Sequence, residues 1–100
     1  MEILGYEIRV RKGGLISKWG MRRQRWEVEI RHGERVAKFY AYGDGGRSAI
    51  LSALADILFA YIGEEDKKCK KTVEKAKTLD LGLGEVVKIV ETLMEGRKWS

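Results

Sequence analysis

Two stretches in the first half of the chain alternate apolar and charged side chains without a break, and they constrain the fold more than any other feature. Residues 6–11 (YEIRVR) and residues 25–31 (RWEVEIR) share this period of two, which is typical of a β-strand with one buried face. Residues 36–42 (VAKFYAY) predict a third strand after a tight turn at His32 and Gly33, where glycine accepts a positive φ. The first half therefore predicts an antiparallel sheet.

The facing of the third strand stays open at this stage. A two-residue turn before it buries Ala37 and Phe39. A three-residue turn with a bulge buries Val36 and Tyr40 instead. Residues 12–24 (KGGLISKWGMRRQ) hold three glycines and no sustained period, which indicates either a long connection or a flexible hairpin arm.

In the second half the apolar spacing becomes that of helices. Residues 48–62 predict a first helix with Ser48 as its N-cap and Gly63 as its C-terminal stop. Residues 64–79 predict an amphipathic second helix, and residues 85–95 predict a third. The predicted apolar face of the third helix comprises Val86, Val87, Val90, Leu93 and Met94.

Together these segments predict the fold class. We expect an α+β fold in a single domain, residues 1–100, with a three-stranded antiparallel sheet followed by three helices (βββααα). The first helix is unusually apolar, so we expect it to pack across the sheet.

Composition excludes several classes of protein. No apolar run reaches 18 residues, and no basic stub precedes an apolar block at the start, so neither a membrane span nor a signal peptide is predicted. Cys69 is the only cysteine, which excludes an internal disulfide or a cysteine-based zinc cluster and fits a cytoplasmic location. The absence of Asn beside 35% charged residues favours a thermophilic source.

The positive charge lies in the first half. Residues 1–50 hold eleven Lys and Arg against six Asp and Glu, whereas residues 51–100 hold nine against nine. Arg supplies eight of the eleven cations in the first half, and Lys supplies eight of the nine in the second. Because the planar guanidinium suits phosphate, whereas scattered Lys is the usual way to solvate a helix, the first half is the predicted binding half.

Arginines with interleaved aromatic residues predict a surface for a polyanion. Cations contact phosphates and release counterions, and aromatic rings stack on the bases of single strands. Residues 18–25 contain no acid, whereas Glu27 and Glu29 dilute the charge of the next strand, where a merely solvated face is the competing interpretation. The predicted nucleic-acid-binding residues are Arg9, Arg11, Lys18, Trp19, Arg22, Arg23, Arg25 and Arg31, with Trp19 as a stacking residue.

Other kinds of site are not predicted. Residues 43–48 (GDGGRS) are interpreted as a tight turn before the first helix, because the P-loop spacing GxxxxGK[ST] is absent. Helix-turn-helix docking is rejected because residues 85–95 carry mostly acidic charge, which phosphate repels. His32 lies in a predicted turn, Cys69 on an apolar stripe and Ser48 at a helix cap, so we expect no enzyme, no metal and no cofactor.

Residues 6–61 resemble known DNA-binding domains in three segments: WG at 19–20, RWEVEIRHGERVAKF at 25–39, and a helix that contains Ala53, Ala60 and Tyr61. This arrangement resembles the plant Apetala/ethylene-response domain and the arm-binding domains of mobile-element integrases. Those families lay the face of a three-stranded sheet in the major groove of DNA. The resemblance implies contacts from Arg9, Arg11, Arg23, Arg25 and Arg31.

An aromatic strand end, a glycine turn and a helix with the sequence Asp-Ile-Leu carry a second resemblance, through Phe39, Tyr40, Tyr42, Gly43, Asp56, Ile57 and Leu58. These features resemble those of small phage and plasmid proteins. The resemblance implies a mobile genetic element as the source.

Two functions are thus predicted from the sequence. The first is a small nucleic-acid-binding domain that uses an Arg-rich sheet face and the basic 12–25 arm, with DNA or RNA as its partner. The alternative is a protein-binding module of a virus or plasmid, such as an anti-CRISPR-like inhibitor of host defence, because Arg, Trp and Tyr also anchor protein interfaces. Trp99 and the terminal helix add self-association as a homodimer, and no membrane partner is predicted.

Overall fold

Four strands form one antiparallel sheet. The computed structural model describes residues 1–18, 20–63 and 65–96, and of Ile16, Lys18 and Met21 it describes the backbone alone. The strands, in sheet order, are β1 (Glu2–Ile3), β2 (Tyr6–Lys18), β3 (Met21–His32) and β4 (Arg35–Tyr42). The α+β class and the antiparallel sheet are confirmed, but the prediction of three strands is wrong.

The additional strand, β1, is two residues long. It pairs with the start of β2 through Ile3 and Tyr6, after a turn in which Leu4 and Gly5 have φ values of 52° and 86°. Two residues cannot display a period of two, so no alternation signal predicts this strand.

Of the two alternatives for residues 12–24, the hairpin arm is observed. β2 and β3 pair as far as Lys18 and Met21. The register shifts on the way, because Lys12 lies opposite Trp26 whereas Leu15 lies opposite Gln24. This β-bulge inserts an extra residue into β2 and reverses which residues face which side, so the alternation disappears from the sequence there. We call the described residues of this segment, 13–18 and 20–24, the arm.

The turn between β3 and β4 consists of Gly33 and Glu34, one residue later than predicted. His32 pairs with Arg35, and Gly33 has a φ of 65°, which glycine adopts at little cost. The loop has two residues, so the first alternative for the facing of β4 is the correct one.

The two faces of the sheet differ in burial. We call the face that carries Ile8, Val28 and Phe39 the inner face, because all three side chains are buried. The opposite, outer face carries Tyr40 and Tyr42, and none of its described side chains is buried. The register of one hairpin thereby places both tyrosines on the surface.

Three helices follow the sheet, as predicted: α1 (Gly46–Ile62), α2 (Lys67–Thr78) and α3 (Leu83–Gly96). Gly63 is the C-cap of α1 as expected, but Gly45 is its N-cap, and Ser48 lies within the first turn. Asp66 caps α2 by accepting a hydrogen bond of 2.9 Å from the Lys68 N–H. A side-chain oxygen in this position satisfies one of the backbone donors that every helix start leaves unpaired.

The apolar face of α3 is rotated from the predicted one. Val86 and Leu93 are buried as expected, but Val87 and Met94 are 40% and 46% exposed. Ile89, which is fully buried, takes their place. Apolar residues occupy so much of this helix that the spacing alone does not select the buried stripe.

The core lies between the inner face and the helices. α1 contacts β2, β3 and β4, which confirms that the first helix packs on the sheet. α2 contacts α1 and β4, and α3 contacts α1. The largest fully buried side chains are Ile8, Val28, Ile30, Leu54, Ile57, Leu79, Leu81, Val86 and Ile89.

Side-chain hydrogen bonds fix α3 antiparallel to α1. The Arg47 guanidinium donates to the Leu93 carbonyl near one end, and the Tyr61 hydroxyl donates to the Leu81 carbonyl at 2.7 Å near the other. Among the described residues, no single helix has both the length and the hydropathy to cross a membrane, although α1 and α2, bent by 113°, meet these criteria as a pair.

Tyr6 joins the sheet to the turn between α2 and α3. Its hydroxyl donates to the Asp80 carbonyl at 2.7 Å, and its ring stacks on His32 with the two centroids 4.5 Å apart. Burial raises the pKa of Tyr6 above 10.0, and the carboxylates of Glu85 and Asp80 raise it further. The hydroxyl is therefore held in its neutral, donating form.

Replacing Tyr6 by Phe tests this connection. Loss of the hydrogen bond should lower the free energy of unfolding by about 1 kcal/mol at neutral pH. Because the folded-state pKa of Tyr6 is raised, its contribution is complete below the unfolded value and declines as pH rises through the folded value. The difference in stability between the parent and Tyr6→Phe, measured by urea unfolding, should therefore shrink above about pH 10. A difference that grows with pH would contradict this assignment.

Candidate nucleic-acid interface

The structure describes the side chains of six of the eight predicted binding residues, and these six lie on two faces of the sheet. β-strand alternation puts five of them on the outer face: Arg9, Arg11, Arg23, Arg25 and Arg31. Arg22 points to the opposite side, because it neighbours Arg23 on the same strand. Lys18 contributes a described backbone only, and Trp19 lies outside the described residues. The fold therefore does not bring all of the predicted arginines onto one surface, because Arg22 lies on the other side of the hairpin.

Acids balance one end of the outer face. Arg9 contacts Glu7 at 2.7 Å, and the diagonal pair of Lys38 and Glu27 has an N–O distance of 3.2 Å. Arg31 was predicted to contact phosphate, but in the structure its guanidinium lies 4.0 Å from the carboxylate of Glu29. The interpretation of a solvated strand face holds for this end.

At the other end of the outer face and in the arm, the arginines lack such ion pairs. Arg11, Arg22, Arg23 and Arg25 form no ion pair with any described carboxylate. We call these four residues the unpaired arginines. Residues 8–26 hold seven Lys and Arg and no Asp or Glu, and those that the structure describes, 8–18 and 20–26, belong to one hairpin. The unpaired charge thus gathers where the hairpin leaves the body of the sheet.

Two aromatic residues border the unpaired arginines on the outer face. The guanidinium carbon of Arg25 lies 4.1 Å from the centre of the Tyr40 ring, and Tyr40 is 51% exposed. Tyr42 lies opposite Arg25 in the register. The cation–π contact holds the Arg25 side chain over the sheet without neutralising its charge.

Trp26 has a structural role, as the strand pattern predicts. It lies on the inner face, packs against the core, and its indole N–H donates to the Gly43 carbonyl at 2.8 Å. This hydrogen bond ties β3 to the chain that leads into α1. Trp26 is therefore unsuited to stacking on a base.

The root of the arm is tightly built. The Gln24 side-chain amide donates to the carbonyls of Gly13 and Arg25. A Cβ at Gly13 would lie 3.1 Å from the Arg25 carbonyl oxygen, which is closer than most real contacts. The bulge at Gly13 and Gly14 thus lets the two backbones approach, and it sets the direction in which the arm leaves the sheet.

Shallow depressions border the unpaired arginines. One of about 260 Å³ lies on the outer face and is lined by Arg9, Val10, Arg11, Glu27, Glu29 and Lys38. Another of about 370 Å³ lies where β4 ends beside the arm and is lined by Arg22, Arg23, Gln24, Tyr42, Gly43 and Asp44. Both are open and polar, which suits contact with a hydrated charged ligand better than enclosure of a small molecule.

The segment GDGGRS serves the fold. A Cβ at Gly43 would lie 3.0 to 3.2 Å from atoms of Ser48 and Ala49, so a side chain there would force the start of α1 to shift. Arg47 turns inward to the Leu93 carbonyl and cannot also reach a phosphate at the start of α1. The interpretation of this segment as a tight turn agrees with these contacts.

The two residues most often used in catalysis or metal binding, His32 and Cys69, make contacts that stabilise the fold. His32 stacks on Tyr6 and lies 3.7 Å from the Asp80 carboxylate, and Cys69 is half-buried near Gly63. Within residues 1–18, 20–63 and 65–96, no three His, Cys, Asp or Glu side chains are grouped as a metal site requires.

One contributor to the interface was not predicted. The contact between Arg25 and Tyr40 depends on the β3–β4 register, and the sequence left the facing of Tyr40 open.

A comparison of the chain with family models, with curated proteins and with solved structures found no match.

Proposed function

We propose that this protein binds nucleic acid through the unpaired arginines and the arm. The observation that carries the proposal is the concentration of seven cations and no acid in residues 8–26, whose described residues belong to a single hairpin. A local excess of guanidinium groups is costly unless an anion lies nearby, and a phosphate backbone supplies evenly spaced anions. The formal net charge of +5 adds long-range attraction to such a partner.

The neutralised end of the outer face refines the set of contact residues. Arg9 and Arg31 each have a glutamate partner, and a phosphate would have to compete with it. No described carboxylate forms an ion pair with the unpaired arginines, although Glu27 lies opposite Arg11 in the register and Asp44 lines the same depression as Arg22 and Arg23. The unpaired arginines are the residues to which we assign most of the affinity.

The salt dependence of binding tests the proposal. Affinity for a short DNA duplex and for a single strand of the same sequence should be measured by fluorescence anisotropy from about 50 to 300 mM salt. Each phosphate contact contributes about −0.9 to the slope of log K against log salt on duplex and about −0.7 on single strands. Four contacts predict a duplex slope near −3.6. Undetectable binding at about 50 mM salt, or a flat slope, would remove the proposal.

A protein-binding module is the second candidate, and one observation favours it. β4 is an edge strand, and a groove of about 600 Å³ runs between it and α2, lined in part by the exposed side chains of Val36 and Tyr40. An edge strand offers unpaired backbone groups to a partner strand. The Lys75 ammonium donates a hydrogen bond to one of these backbone groups, the Lys38 carbonyl. This contact reduces the number of groups that remain for a partner strand. Recovery of a protein partner that survives nuclease and moderate salt would favour this candidate.

A further inference from the structure

We infer that the arm enters the major groove of B-form duplex DNA, with Arg22 and Arg23 directed at opposite phosphate walls of the groove. The inference rests on the proposed function and narrows its ligand from nucleic acid to double-stranded DNA. It also differs from the flat contact of a sheet face that the resemblance to other DNA-binding domains implies.

The opposite orientation of two neighbouring arginines is the first argument. Arg22 and Arg23 follow each other on β3 and pair with Ser17 and Ile16 of β2, so their side chains leave the ribbon on opposite sides. Both are exposed. A flat ligand on the outer face would use Arg23 and leave Arg22 pointing away, whereas a groove that encloses the arm uses both.

The second argument is that the helices leave the arm uncovered. On the side that Arg22 occupies, Leu15 is 63% exposed and Ser17 is exposed as well. Nearer the body, the same side of the hairpin carries the buried Ile8 and Val28. Beyond the bulge, therefore, the described part of the hairpin has two solvent-facing sides and stands away from the core.

The dimensions of the arm suit a major groove. Four residue pairs extend beyond the bulge, which gives a length of about 14 Å at about 3.4 Å per residue. This exceeds the depth of the major groove, about 8.5 Å. Because Arg22 and Arg23 point at the walls, the thickness of the two strands with their side chains, about 10 Å, lies across the groove. The two strands therefore fit a groove about 12 Å wide but not a minor groove of about 6 Å. The major groove of A-form RNA is too narrow to admit them.

The distribution of acids disfavours the flat contact. Glu27 and Glu29 lie in the middle of the outer face, where a duplex laid on the sheet would bring its phosphates towards them. The arm carries no acid at all. Insertion of the arm brings the DNA to the cations and leaves these carboxylates at the edge of the contact.

Single substitutions separate the two geometries. Arg22→Ala and Arg23→Ala should each lower affinity for a B-form duplex about tenfold at about 50 mM salt and reduce the magnitude of the salt slope by about 0.9, because each removes one phosphate contact. Lys70→Ala, which removes one exposed charge from α2, is the matched control and should change neither quantity measurably.

Three further ligands test the groove itself. A duplex whose cytosines carry a glucosylated hydroxymethyl group at C5 keeps its phosphates but has a filled major groove, so it should bind at least about tenfold more weakly than the plain duplex. An RNA duplex and a DNA single strand should show a similar loss.

The outcomes distinguish this inference from the proposed function. Salt-dependent binding in which Arg22→Ala has no effect while Arg23→Ala weakens binding would overturn the inserted arm and leave nucleic-acid binding intact. Equal affinity for the plain and the groove-filled duplex, or for the plain duplex and a single strand, would likewise overturn the inserted arm and leave nucleic-acid binding intact. Absence of salt-dependent binding to every one of these ligands would remove both.

Discussion

Simultaneous replacement of Arg11, Arg22, Arg23 and Arg25 by alanine is expected to lower affinity for a DNA duplex about 10⁴-fold near 50 mM salt, since each lost phosphate contact is worth about tenfold there. The salt slope should approach zero. Folding should be preserved, because Arg25 is half-buried at most and the other three side chains are exposed. Fluorescence anisotropy gives both quantities, and circular dichroism verifies the fold.

A matched variant shows whether location or total charge is responsible. Replacing Lys67, Lys68, Lys70 and Lys77 of α2 by alanine also removes four positive charges, so both variants fall from a formal net charge of +5 to +1. These lysines are exposed and lie on a helix, where alanine is well tolerated. The lysine variant should keep most of the parental slope. Similar losses in both variants would mean that diffuse attraction, and not the hairpin, accounts for binding.

Leu54→Ala is expected to have the largest effect on stability. Leu54 is fully buried on α1, the helix that contacts β2, β3 and β4. Truncating such a leucine removes its burial and leaves a cavity, at a cost of about 2 to 5 kcal/mol. At about 4 to 8 °C per kcal/mol for a domain of this size, the midpoint of thermal unfolding should fall by roughly 8 to 40 °C.

Phe59→Ala is the control for this experiment. Phe59 lies on the same helix but is 69% exposed, so its truncation should change the unfolding free energy by less than about 0.5 kcal/mol. Urea unfolding of both variants should show a shifted midpoint for Leu54→Ala only, with an unchanged dependence on denaturant. If Phe59→Ala proved as destabilising as Leu54→Ala, the assignment of the buried face of α1 would be wrong.

The candidate site was predicted unevenly, and the β-bulge explains much of the difference. Arg9, Arg11, Arg25 and Arg31 alternate with apolar residues that must be buried, so their common face follows from the strand period. Arg22 and Arg23 lie in the arm on β3, where residues 21–25 (MRRQR) show no apolar alternation, and the bulge at Gly13 and Gly14 erases the alternation in the partner strand β2. Their placement on opposite sides therefore became visible only from the pairing with β2.

Ion pairing was the other feature that needed the structure. A two-residue turn at His32 and Gly33 would place Glu27 directly opposite Lys38. The turn lies one residue later, so their ion pair is a diagonal contact. Arg9 and Arg31 likewise have glutamate partners two residues away on their own strands. Whether such neighbours contact each other depends on side-chain conformations that the strand period does not specify.

What the sequence determined by itself is the class of the fold, the central strands, the three helices and the half of the chain that carries the excess charge. These properties are local, since a period of two or of 3.6 residues and a count of charged residues need no knowledge of distant neighbours. The tertiary structure decided the fourth strand, the buried stripe of α3, the exposure of Tyr40 and the separation of paired from unpaired arginines. Each of these depends on which residues meet across strands and helices, and that is set by register and packing over the whole chain.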